Sequence, residues 1–180
     1  GWFATRKEPD LLNLLDLVAL GTICDVVPLT GLNRSFVHQG LKVMASRNNI
    51  GINALADVAG IDEPPGTYHA GFVFGPRVNA GGRVGESSLG SRLLSTDDVD
   101  KAKEIATRLD SYNRERQSLE ANILDEAFAQ VESEGDDLGA VAIAAGVGWH
   151  PGVVGIVASR LKDRFNRPAC VLAFAGDGGS

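Results

Sequence analysis

Apolar and polar positions alternate along this chain in three distinct rhythms, and each rhythm predicts a different element. From Leu11 to Leu20 the segment LLNLLDLVAL is apolar almost all round. A helix opened by Pro9 and Asp10 and running to about Leu20 is predicted there, buried on most sides. After the turn Thr30–Asn33, residues Phe36, Val37, Leu41 and Met44 recur at helical spacing, and NALADVAG repeats that pattern until Gly60, a residue suited to end a helix. Residues 62–70 hold two consecutive prolines and predict a loop. The glycines at 71, 75, 81, 82 and 85 then predict an irregular loop between Gly75 and Gly85.

The next signal is a single long helix from Thr96 to Glu134, stopped by Gly135. Ala102, Ile105, Leu109, Tyr112, Leu119, Ile123 and Val131 recur at spacings of about three and four, with Phe128 beside the stripe. At ~1.5 Å per residue such a helix is on the order of 55 Å long, more than a small domain's diameter, and so is expected to connect two domains. Its stripe is interrupted at Arg116, within SYNRERQ, where it either faces a cleft or forms a solvated charged face. Beyond Gly135, GAVAIAAG reads as a buried strand, GVVGIVASRLKDRF as a helix and PACVLAFA as a second buried strand. That order is a βαβ unit with parallel strands, so the fold class is α/β.

Composition narrows the picture. The chain has 180 residues, 44% of them hydrophobic, and a formal net charge of -6, which suits a globular core and argues against wholesale coating of nucleic acid. No apolar run reaches the roughly 18 residues a membrane span needs, so no membrane partner is expected and the default compartment is cytoplasmic. Cys24 and Cys170 fit no metal spacing and read as reduced, mostly buried residues. The opening Gly1-Trp2-Phe3 and the closing GDGGS both read as cut boundaries.

Candidate chemistry gathers at three places. Asp25, in GTICDVVPL, follows the apolar helix and should emerge from a domain interior, where a carboxylate needs a partner. It either caps a turn or ligates a metal. Arg77, Asn79 and Arg83 alternate with small residues in the glycine-rich stretch, so their guanidiniums and nearby amides could grip an oxyanion. The alternative is a structural turn whose arginines pair with acidic residues. His150, just before Pro151, lies at the carboxyl end of the first strand and the start of its helix, where open α/β sheets bind ligands. His38 and His69 read as surface histidines.

In this order and at these separations, DLVALGTICDVVPL, FGPRVNAGGR, LDSYNRERQ and WHPGVVGIVASRLKDRFNRPACVLA resemble the DHH phosphoesterase superfamily, and within it the bacterial single-stranded-DNA exonucleases. The resemblance implies residues 1–95 as the C-terminal part of a DHH catalytic domain, 96–134 as an interdomain helix, and 135–180 as the start of a DHH-associated domain. It implies 5′-to-3′ hydrolysis of single-stranded DNA in repair and recombination, with two divalent manganese or magnesium ions. Asp25 would be a catalytic metal ligand. Arg77, Asn79, Arg83, His150, Ser159 and Arg160 would contact nucleic acid, with Asn113 and Arg116 as further members. Single-stranded DNA is the implied partner, joined by a single-strand-binding protein and a helicase. No Asp-His-His triplet and no Asp-x-Asp motif occur, so the other ligands are expected before Gly1, a further glycine-rich element after Ser180, and the isolated chain is expected to be inactive. Two other readings stand beside this one: a DHH phosphoesterase for oligoribonucleotides or cyclic dinucleotides, and a non-catalytic nucleic-acid-binding relative.

Overall fold

The computed structural model describes residues 10–135 and 139–176. It divides into two compact units, one formed by Gly1–Asn79 with Ser88–Asp110, the other by Ala80–Ser87 with Ser111–Ser180. The first is helical. The Asp10 carboxylate accepts from the Leu12 amide at 3.1 Å and from Asn13 Nδ2 at 2.8 Å, opening a 3-10 turn, Leu11–Leu14, that runs into α1, Leu15–Cys24. The expected stop near Leu20 is therefore four residues early. The expected burial also fails on one side: Leu11, Leu12, Leu14 and Val18 are exposed, while Leu15, Ala19 and Leu20 are buried. The carboxylate that α1 does bury is Asp16, 1% exposed, which accepts from the Leu17 amide at 2.7 Å; burial pushes its carboxyl above the ordinary range.

Helix α2, Gly31–Ala45, packs on α1 through Gly40, where a Cβ would lie 2.1 Å from the Leu15 carbonyl oxygen. Val37 and Met44 are buried beside it, whereas Phe36, expected in the stripe, is exposed. Helix α3, Ile50–Ala59, is capped by Asn49, whose side chain accepts from the Ile52 amide at 3.0 Å, and ends at Gly60 with φ 69°, as anticipated. His38 is exposed; His69 is not free in solvent, because its Nδ1 accepts from the Gly66 amide at 3.1 Å.

The glycine-rich stretch corrects the sequence reading most sharply. It is a π-helical turn, His69–Phe74, continuing directly into α4, Gly75–Val84. Glycine costs roughly 0.5–1 kcal/mol in a helix interior relative to alanine, but here it permits close approach. A Cβ on Gly75 would lie 2.6 Å from Cys24 Sγ, and one on Gly71 3.1 Å from the Ile23 side chain. Helix α5, Leu89–Ser95, completes the unit together with the start of α6.

Helix α6, Val99–Ser133, is the predicted long helix, about 52 Å at the usual rise. Its residues to Asp110 belong to the first unit and those from Ser111 to the second. In the second unit β1, Ala142–Val147, pairs in parallel with β2, Ala169–Phe174, through α7, Pro151–Phe165, in the register Ala142↔Ala169 to Val147↔Phe174. Ile123, Ala127 and Val131 of α6 share a core with Val153, Val157 and Leu161 of α7 and with Ala142 and Ala144. The strands are covered on one face only, since Ile143, Leu172 and Phe174 are exposed, and Cys170 is exposed too. Gln130 engages the backbone of β1, donating to the Ala145 carbonyl at 3.0 Å and accepting from its amide at 2.9 Å.

Candidate metal and nucleic-acid site

Asp25 stands immediately after α1 as its C-terminal cap, its amide donating to the Gly21 carbonyl at 3.0 Å. Its side chain is exposed rather than emerging from a core. The last carbonyls of a helix carry partial negative charge, so a carboxylate there is unfavourable until a cation joins it. The next residue sharpens the point. Val26 is β-branched, 85% exposed and held at φ 54°, in the left-handed region such residues avoid. Amide bonds fix this turn: Val26 donates to Ile23 at 3.1 Å and Val27 to Thr22 at 3.1 Å. Backbone strain of this kind, of order 1–3 kcal/mol, clusters at functional sites. Cys24, packed between α1 and the π-helical turn, has its thiol pushed upward by burial and by the Asp25 charge.

Among the described residues no group of three or more His, Cys, Asp or Glu side chains could hold a metal ion. Asp25 fits as one oxygen donor of a hard divalent cation, and the described residues do not supply the rest.

The three glycine-stretch residues separate. Arg77 is largely buried, its Nε donating to Asp110 Oδ1 at 2.9 Å and its Nη1 to the Val73 carbonyl at 2.9 Å. This is the acidic pairing that the structural alternative anticipated. Asn79 is exposed. Arg83 is exposed and donates to the Gly152 carbonyl at 3.3 Å; a Cβ on Gly152 would in turn lie 2.1 Å from the Arg83 carbonyl oxygen. The backbone amides expected to help an anion clamp lie within α4, where intrahelical bonding engages most amides.

His150 is the N-cap of α7, its Nδ1 accepting from the Gly152 amide at 3.1 Å, with Pro151 opening the helix. About 15 Å further along α7, a second polar group forms in the same unit. Buried Asn113 accepts from Arg116 Nε at 3.2 Å and Nη2 at 3.0 Å, and Arg116 Nη1 meets Glu120 Oε2 at 2.5 Å. Glu120 Oε1 also lies 3.6 Å from Nε of Arg160, 61% exposed, while Ser159 is exposed nearby in sequence. The interruption in the α6 stripe is thus a satisfied network, neither bare cleft nor solvated face. Sequence reasoning missed Asp110, the partner of Arg77, and Glu120, the partner of Arg116; the Arg116–Glu120 spacing of four was the available signal for the second.

No family model matches the chain. Across 99% of its length, however, it is 44% identical to the single-stranded-DNA-specific exonuclease RecJ of Dickeya dadantii and 42% identical to that of Escherichia coli. Over that span the chain is similar to part of RecJ. The crystal structure of RecJ in complex with Mn2+ from Thermus thermophilus matches 92% of it with a TM-score of 0.80 at 35% identity, and the Mg2+ complex does equally well. The α/β expectation is met by that match. The chain spans about a third of the length of the curated RecJ relatives, 32% of the Dickeya and Escherichia proteins, and 24% of the manganese-bound Thermus chain.

Proposed function

We propose that this chain is part of a 5′-to-3′ single-stranded-DNA exonuclease that hydrolyses phosphodiester bonds with two divalent manganese or magnesium ions, in DNA repair and recombination. The observation that carries this reading is the 42–44% identity to RecJ over 99% of the chain. The exposed Asp25 beside a strained turn supports it independently. In this reading residues 1–95 close the catalytic domain, 96–134 form the linking helix and 135–180 begin a DNA-holding domain of a cytoplasmic enzyme, which works with a single-strand-binding protein and a helicase.

Asp25 contributes one metal ligand. A bound cation of this class activates water and neutralises developing charge on oxygen, but one donor among the described residues assigns it no step of its own, and the isolated chain is inactive. Arg83 and Arg160, exposed and tethered only at one edge, are the phosphate contacts, with Asn79 and Ser159 as neutral donors. Arg77, His150, Asn113 and Arg116 are positioning residues: each holds a helix, a cap or another side chain in place. A substrate panel on the full-length protein tests the reading. Release of mononucleotides from the 5′ end of single-stranded DNA is the expected result; preference for oligoribonucleotides, preference for cyclic dinucleotides, or no hydrolysis at all would each refute it.

A further inference from the structure

We infer that Tyr68 and Phe72 form a stacking platform for an unpaired nucleobase. The two rings are stacked on each other, centroids 5.3 Å apart and planes 25° apart, yet Tyr68 is 65% and Phe72 73% exposed. Burying either ring would gain substantial apolar free energy, and the aligned, exposed pair offers a face on which a flat partner can stack. The pair is also held in place. His69 packs edge-on to Tyr68 at 5.9 Å, and its own two nitrogens are held by the Gly66 amide at 3.1 Å and by Glu63 Oε1 at 3.3 Å.

Location selects the occupant. Phe72 lies in the π-helical turn, a conformation enriched at functional sites, and that turn packs on the end of α1 that carries Asp25: Cys24 Sγ donates to the Ala70 carbonyl at 3.5 Å, and Gly71 faces Ile23. The same turn continues into α4. A strand whose phosphate reaches Asp25 would carry its neighbouring bases past this element. Every base has a π-face, so the platform would hold single strands without reading their sequence, and only where the bases are unpaired.

This inference rests on the single-strand reading above. The test compares full-length protein, divalent cation withheld, binding an ordinary oligonucleotide and one with abasic positions but identical phosphates. Wild type should bind the abasic strand about 5- to 100-fold more weakly. The doubly substituted Tyr68→Leu, Phe72→Leu protein keeps apolar bulk but no π-face, so it should bind both strands alike, at the abasic level, and Phe72→Trp should retain the wild-type ratio. If the leucine variant retains that ratio, the platform is overturned and the single-strand reading survives. Wild type that ignores single strands altogether overturns both.

Discussion

The two compact units treat the same residue type in opposite ways. In the first, Arg77 is turned inward onto Asp110 and the Val73 carbonyl; in the second, Arg83 and Arg160 keep their side chains in solvent while touching Gly152 and Glu120 at one edge. Arginine within one motif is therefore no guide to role. What decides it is whether a carboxylate is already desolvated nearby, because a buried guanidinium and carboxylate cannot be separated cheaply. The first unit holds an exposed carboxylate on a strained turn and two exposed rings, while the second holds exposed cations over a βαβ core.

The contrast breaks first at Asp25. Replacing it with alanine in the full-length protein should lower cleavage of single-stranded DNA by about a thousandfold or more, while affinity measured without metal stays within about twofold. Turnover near wild type in manganese would remove Asp25 from the site and leave Val26 without a functional account. Next comes Arg77→Ala, which removes a charged hydrogen-bond partner of the buried Asp110 and should destabilise the first unit by about 1–3 kcal/mol. A thermal melt checks it: an unchanged melt, with DNA affinity lost instead, would make Arg77 a phosphate contact and erase the difference between the units.

Sequence periodicity made the long helix and the βαβ unit legible, since a helical rhythm that resumes after its break at Arg116 and two short apolar runs around a helix admit few other folds. It failed at α4 for a reason local sequence does not contain. Gly75, which opens α4, is explained by Cys24, some fifty residues earlier, and at the helix's end the Arg83 backbone is explained by Gly152, some seventy residues later. Asp25 follows the apolar helix as expected, but it is exposed where burial was expected. An apolar helix suggested an interior, but four of the leucines and valines of Leu11–Val18 face outward in the described residues. Val26 carried no sequence signal at all, because only the backbone angle marks it.

A smaller effect separates the two glycines of α7. A Cβ on Gly152 would meet the Arg83 carbonyl at 2.1 Å, whereas one on Gly155 meets nothing within 4 Å. Gly152→Ala should therefore destabilise by about 1–3 kcal/mol as the backbone shifts, and Gly155→Ala should stabilise by about 0.5–1 kcal/mol through helix propensity. Denaturant melts that shift both variants in the same direction would show that the end of α4 does not pack on the start of α7 as described.

The smallest change expected is at Arg83, and it is the one that sharpens the comparison furthest. Among the described residues its exposed guanidinium makes one 3.3 Å bond, to a backbone carbonyl, so removing it leaves no buried charge behind. Stability should hardly move. If the side chain neutralises one phosphate, Arg83→Ala in the full-length protein should weaken all single-stranded sequences about equally and lower the logarithmic salt slope by about 0.7. Arg77→Ala, measured beside it in the same anisotropy titrations, should leave the slope unchanged. Equal slopes for wild type and the Arg83 variant would return Arg83 to a packing role at the α4–α7 contact, and Arg160, with its side chain 61% exposed, would remain a candidate phosphate contact of that unit.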